Sequence, residues 1–175
     1  MVVLRDATPA DAHALATVHV ASWRAAYRGL MPDEVLAGMS VPDREQLWSD
    51  RLTAQEARAS VVVAAEAGRV VGFAAAGPPL VPADRADSTL GDLYALYLDP
   101  DRWGRGIGTP LHAAALDRLA THGFTHAGLW VLDGNLRALR FYYRHGWTDT
   151  GRTQIDRGPE HIKLHERRLH RSLTS

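Results

Sequence analysis

The stretch YLDPDRWGRGIGTPLHAAALDRLA, residues 97–120, limits the fold more than any other part of the chain. A run of strand type, DLYALYL (92–98), leads into it. Gly104, Gly106 and Gly108 then alternate, and Ile107, Leu111, Ala115 and Leu119 recur every four residues along one helix face. Strand, glycine loop and helix in that order aim unpaired backbone N–H groups and the positive end of a helix at one spot. An anion, above all a phosphate, is the natural ligand there. Glycine lets the backbone approach closely because no Cβ intervenes. Trp103, Gly104, Arg105, Gly106, Ile107, Gly108 and Thr109 therefore read as a phosphate cradle, with Arg102 and Arg105 adding positive charge.

Two common phosphate-binding patterns do not fit. A nucleotide P-loop needs GxxxxGK[ST], and the single lysine, Lys163, lies far away. A dinucleotide fold needs GxGxxG directly after a strand. Here the third glycine comes one residue early, and Asp99 to Trp103 separate strand from loop. The preceding chain also offers no repeated strand–helix–strand units.

The rest of the pattern is mixed. Residues 2–5 read as a strand, and TPADAHALATVHVASWRAAY as a helix that Thr8 can cap. Pro32 opens a second helix and VPDREQLWSDRL forms a third. SVVVAAE and VVGFAAAG around Gly68 predict a hairpin. Residues 77–90 form a loop rich in Pro and Asp. HAGLWVL (126–132) is a strand, and NLRALRFYYRHGW a helix begun near Asn135 and stopped at Gly146. WTDTGRTQ and HIKLHERRL read as strands around the turn DRGP.

Composition narrows the function classes. Lys+Arg and Asp+Glu are both 20, so the formal net charge is zero. This argues against a general nucleic-acid surface or a binder of anionic membranes. There is no cysteine, which excludes disulfides, cysteine-rich zinc sites and a thiol nucleophile, and fits a reducing compartment. Charge appears too early for a signal peptide, and no apolar run reaches the ~20 residues that span a bilayer. A cytoplasmic protein is expected, folded as one domain over residues 1–175.

LYALYLDPDRWGRGIGTPL resembles the acetyl-CoA loop of the GNAT superfamily of N-acetyltransferases, with Gly106 and Gly108 as the motif glycines. One departure is Trp103, at a position where the family carries Arg or Gln. NLRALRFYYRHGW is similar to a second family element, with Asn135, Ala138, Tyr142 and Gly146 in register and Trp147 replacing Phe. The resemblance covers nearly the whole chain and is weakest over 77–90. It implies an α/β domain with a mixed, mostly antiparallel sheet, flanked by helices, whose two central parallel strands splay apart around acetyl-CoA. The backbone of Leu96, Tyr97 and Leu98 would then pair with the pantetheine, as an added strand would. Asn135, Ala138 and Tyr142 would complete the cofactor site.

The resemblance further implies direct attack of an amine on the thioester. Asp92 matches a position where many relatives carry Glu, and is the candidate general base. Tyr142 is the candidate general acid: a thiol's reference pKa is ~8.5 and tyrosine's ~10. Tyr143 is a rival, but adjacent helical residues point about 100° apart, and only Tyr142 has the register. Trp23 and Tyr27, one helical turn apart, would border the acceptor pocket or simply fill core. His161 and His165 read as solvated strand residues, and no metal is expected. The acceptor stays open between a small molecule and a protein amine, and a homodimer stays open too. The competing class is a noncatalytic acetyl-CoA-binding regulatory module.

Overall fold

Ala67 and Gly68 both take left-handed backbone conformations (φ 49° and 80°). They close the predicted hairpin as a tight turn between β2 (Ser60–Glu66) and β3 (Arg69–Gly77). The computed structural model describes residues 1–173. Around the hairpin lie β1 (Val2–Asp6), α1 (Ala12–Ala26), α2 (Asp33–Gly38), α3 (Val41–Ala54) and β4 (Leu90–Leu98). The second half comprises α4 (Gly108–Thr121), β5 (His126–Leu132), α5 (Leu136–Arg144), β6 (Thr148–Arg157) and β7 (Lys163–Ser172).

The seven strands form one sheet in the order β1-β2-β3-β4-β5-β7-β6. Only β4 and β5 run parallel, and they pair over three residues: Leu90 with His126, Gly91 with Ala127, Asp92 with Gly128. The local cause is a bulge. On β3, Ala76 pairs with Leu93 and the adjacent Ala75 with Ala95, so Tyr94 is an extra residue in β4. A bulge bends its strand and raises its twist. Beyond it β4 stays with β3 and leaves β5, which opens the expected splay.

Helices cover both faces of the sheet, so every residue of β3 from Val70 to Gly77 is buried. On one face α4 packs Leu111 and Leu119 against Leu129, Trp147 and Leu169. On the other, Leu15 of α1 and Trp48 of α3 close over Phe73. No helix among the described residues is long and apolar enough to cross a membrane.

Three local readings change. Thr8 caps a short 3-10 turn (Pro9–Asp11) ahead of α1 and not the helix itself; the Asp11 carboxylate accepts its N–H at 2.7 Å and also holds Arg5. The last hairpin is longer than predicted, because β6 runs on to Arg157 and β7 starts at Lys163. His161 therefore ends a 3-10 turn at φ 61° instead of lying on a strand, whereas His165 is an exposed residue of β7.

Two buried histidines accept hydrogen bonds from indoles. Trp48 Nε1 donates to His19 Nδ1 at 3.1 Å, and Trp147 Nε1 to His112 Nε2 at 2.9 Å. Burial holds His19 down to about 3 and His112 down to about 4, from 6.5. A folded-state pKa below the unfolded one gives stability that is full above ~6.5 and drains as the unfolded chain takes up protons on acidification. Melting temperature is expected to fall steadily between pH 7 and 4.5, and His112→Asn to flatten that slope. Asp11, held near 2, weakens the fold only below that window. A slope unchanged in His112→Asn would show that the ring titrates freely.

Candidate active site

Past Asp92 the two central strands diverge and leave a cleft of about 1120 Å³. Leu96, Tyr97 and Leu98 pair with Ala74, Phe73 and Gly72 along one edge of β4, and among the described residues no strand pairs with the other edge. Leu96 and Leu98 point to the α4 face, while Tyr97 joins the opposite cluster with Phe73. A strip of main chain is thus available to an extended ligand, with a hydroxyl-bearing ring below it.

The glycine loop lines one end of the cleft. Gly104 and Gly106 sit at φ 73° and 79°, a region only glycine enters freely, with open space where a Cβ would stand. Gly108 differs. It begins α4 in an ordinary conformation, and a Cβ there would touch Phe141 and Leu98 at 3.5–3.6 Å. The first two glycines shape the turn; the third keeps the helix start bare. Ile107 is buried in the core beneath and anchors the loop. Arg105 is exposed.

Trp103 donates its indole N–H to the Leu98 carbonyl at 3.0 Å and carries the Arg137 guanidinium 3.7 Å above its ring. Arg102 is drawn off to Glu66 at 2.7 Å. The cation beside the loop therefore comes from α5 and rests on the aromatic ring that replaces the usual Arg or Gln. Arg140 and Arg144 line the same wall. Asn135 caps α5: its side chain accepts the Ala138 N–H at 3.1 Å.

Tyr142 lines the cleft, whereas Tyr143 is 44% exposed on the outside of α5. Burial raises the Tyr142 hydroxyl above its usual range, so it stays protonated at neutral pH. Trp23 and Tyr27 line the opposite wall, edge to face at 4.9 Å, and they also pack on the small cluster of Val20, Met31 and Leu36. The pair thus packs into the core on one side and faces the cleft on the other.

Asp92 is no strand-end carboxylate in water. It is 3% exposed and held by both terminal nitrogens of Arg168, at 2.5 and 3.0 Å. Burial is the largest influence on it and raises its pKa; Arg168 opposes that. A proton arriving on Asp92 would leave Arg168 buried without its partner. This geometry counts against Asp92 as general base, the role expected above. Arg168 itself reaches Asp92 through a gap left by Gly128, where a Cβ would come within 2.2 Å of its guanidinium. Asp84 of the 77–90 loop stands 3.8 Å from Arg168 on the same side.

Another carboxylate lines the cleft, paired with no cation among the described residues. Glu166 of β7 lies opposite Leu132, where β5 has left β4, and accepts one hydrogen bond from Gln154 Nε2 at 2.7 Å. Burial raises its pKa, with Asp156 adding to the rise. No group of three or more His, Asp or Glu side chains is gathered for a metal ion among the described residues.

The model of the "Acetyltransferase (GNAT) family" matches residues 22–147, more than half of the chain. The chain belongs to the GNAT family. It is 34% identical over 135 residues to the uncharacterized N-acetyltransferase YuaI of Bacillus subtilis, a match covering 77% of this chain and 74% of that protein. It is 44% identical over 89 residues to the mycothiol acetyltransferase of Acidimicrobium ferrooxidans, over 51% of this chain but only 28% of that longer protein. In structure it resembles the PaiA N-acetyltransferase of Thermoplasma acidophilum, solved with coenzyme A, at TM-score 0.75 and 16% identity, covering 98% and 99% of the two chains. YncA of Salmonella typhimurium, solved with acetyl-CoA, gives 0.71 at 19% identity, covering 100% and 95%. This GNAT protein is an acetyl-CoA-dependent acetyltransferase with the family's open mixed sheet.

Sequence reasoning passed over Glu166, Arg137 and His19, which line this acetyltransferase's cleft, and Arg168, the buried partner of Asp92 beside it. One signal was legible. A lone glycine inside the strand HAGLWVL marks a close approach by another group, which is where Arg168 passes.

Proposed function

We propose that the protein moves the acetyl group of acetyl-CoA directly to a primary amine while both substrates are bound. The observation that carries the reading is one cleft with a glycine-rich, cation-flanked loop at one end, a bare strand edge along it and a cation-free carboxylate on its far wall. The loop from Trp103 to Thr109, with Arg137, holds the diphosphate. Leu96 to Leu98 pair with the pantetheine, and Asn135 and Ala138 border it. When bound, acetyl-CoA supplies the activated acyl group. Glu166 receives the proton of the incoming ammonium, and Tyr142 gives one to the departing thiolate. Asp92 positions the strand end through Arg168. The absence of cysteine leaves no thiol for an acyl-enzyme. A cytoplasmic setting fits the same composition.

The test is thiol release from acetyl-CoA with a library of amines, for the wild type and Glu166→Gln. Gln154 and Asp156 of β6, Tyr97 of β4 and Tyr27 just past the end of α1 act on Glu166, and no cation among the described residues is paired with it. Glu166→Gln is expected to lower kcat/KM about 10²-fold near pH 7, the low end for a lost proton acceptor. Raising the pH toward the amine's own value, ~10.4 for an alkylamine, should restore much of the rate. An unchanged rate and pH profile would remove Glu166 from the mechanism. No thiol release with any amine would remove the amine-transfer reading itself.

A further inference from the structure

Among the described residues, four buried side-chain nitrogens have no hydrogen-bond partner: His19 Nε2, Trp23 Nε1, Arg44 Nε and Trp130 Nε1. All four residues line the one cleft. An unpaired buried polar group costs about 1–3 kcal/mol, so four of them along one cleft call for an explanation, and a ligand that meets them supplies one.

Three of the four share the wall built by α1 and α3, and all three are donors. The Trp23 and Arg44 nitrogens carry hydrogen by their chemistry. For His19 the proton is placed by its neighbour. Trp48 Nε1 donates to Nδ1, so Nδ1 bears no hydrogen, and the neutral ring must carry it on Nε2. Burial and the nearby positive charges of Arg44 and Arg51 keep that ring neutral. His19 lies 5.4 Å from the Trp23 ring and stacks on Tyr97 at 4.9 Å. The Trp23 N–H lies beside the Tyr97 hydroxyl, short of a hydrogen bond.

Charge runs the same way. Tyr97 feels Arg44 and Arg51 from one side and Glu166 from the other. The cleft is positive toward α3 and negative toward β6 and β7, where Asp156 joins Glu166. We infer that the wall formed by His19, Trp23 and Arg44 seats a carboxylate of the acceptor, so that the acceptor is an amine that also carries a carboxylate, as an amino acid does. The ammonium then faces Glu166 and the carboxylate faces the three N–H donors, with Tyr97 between. The inference rests on the amine-transfer reading and adds the second charged group.

The test uses pairs: common α-amino acids against the matching amines that lack the carboxylate, in the thiol-release assay. The carboxylated member should have the higher kcat/KM by about 10-fold or more, the scale of a hydrogen bond to a charged group. Arg44→Met and Trp23→Phe keep the bulk and remove the donor; each should compress that ratio through KM of the carboxylated member. Acetyl-CoA affinity, measured by calorimetry, checks that both variants are folded. Binding without turnover gives a second readout: CoA-saturated protein should bind N-acetyl amino acids more tightly than the matching acetylated amines. Equal preference within every pair, or variants that depress both members alike, would overturn the carboxylate seat while leaving amine transfer intact. Failure of every amine with acetyl-CoA binding intact would overturn both.

Discussion

Replacing Tyr142 by Phe is expected to lower kcat by ~10²–10⁴-fold, the usual contribution of a positioned proton donor. The ring keeps its packing against Trp147 at 5.8 Å, so only the hydroxyl is lost. Its burial in the cleft keeps it protonated before reaction, and no other tyrosine of α5 reaches that space, since Tyr143 lies on the outer face. Acetyl-CoA affinity should change little, because the proposed diphosphate site lies with the glycine loop, away from this hydroxyl. Steady-state kinetics with calorimetry separates the two quantities, and Tyr143→Phe is the control. Normal turnover by Tyr142→Phe, or a defect carried wholly by Tyr143→Phe, would return Tyr142 to the core.

The largest loss of stability is expected from Arg168→Met. The substitution leaves the Asp92 carboxylate buried with no cation, an arrangement that costs ~3–5 kcal/mol. For a domain of this size each kcal/mol moves the midpoint by roughly 2–4 °C, so melting should fall by about 6–20 °C. Adding Asp92→Leu should recover most of the loss, because replacing both charges by apolar groups is near neutral where breaking one is not. A single variant that melts with the wild type would mean the pair is dispensable. A double variant no better than the single would mean that Arg168 acts through other contacts, such as Asp84 or the Trp130 ring at 5.3 Å.

Much of the architecture was legible because periodicity and punctuation agree along the chain. β5 coincides with HAGLWVL, and Ile107, Leu111, Ala115 and Leu119 all lie buried on one side of the loop and helix they predicted. Glycine roles were less legible. Of the three alternating glycines, Gly104 and Gly106 have left-handed backbone and Gly108 does not, and conformation does not show in a residue's name. Asp92 illustrates what sequence cannot show: its identity and strand position were right, but the meaning of a carboxylate depends on what register places against it. Arg168 comes from 76 residues away. Glu166 was hidden for the same reason, inside HERRL, a charged run that reads as a solvated face until Gln154, Tyr97 and Tyr27 surround it.

The short seam between β4 and β5 divides the labour of the protein. Three residue pairs at one end join two half-sheets. The matched family region, 22–147, contains the glycine loop, the bare strand edge and Tyr142, yet stops before β6 and β7. Gln154, Asp156 and Glu166 stand on a hairpin beyond that region, tied back to it by the β5–β7 ladder and by the pairing of Arg168 with Asp92. In the proposed site these three side chains face the acceptor, and the β4 edge assigned to the pantetheine lies on a different strand. On the proposed mechanism, a change of acceptor would be written into this hairpin while the acetyl-CoA side of the cleft keeps its form.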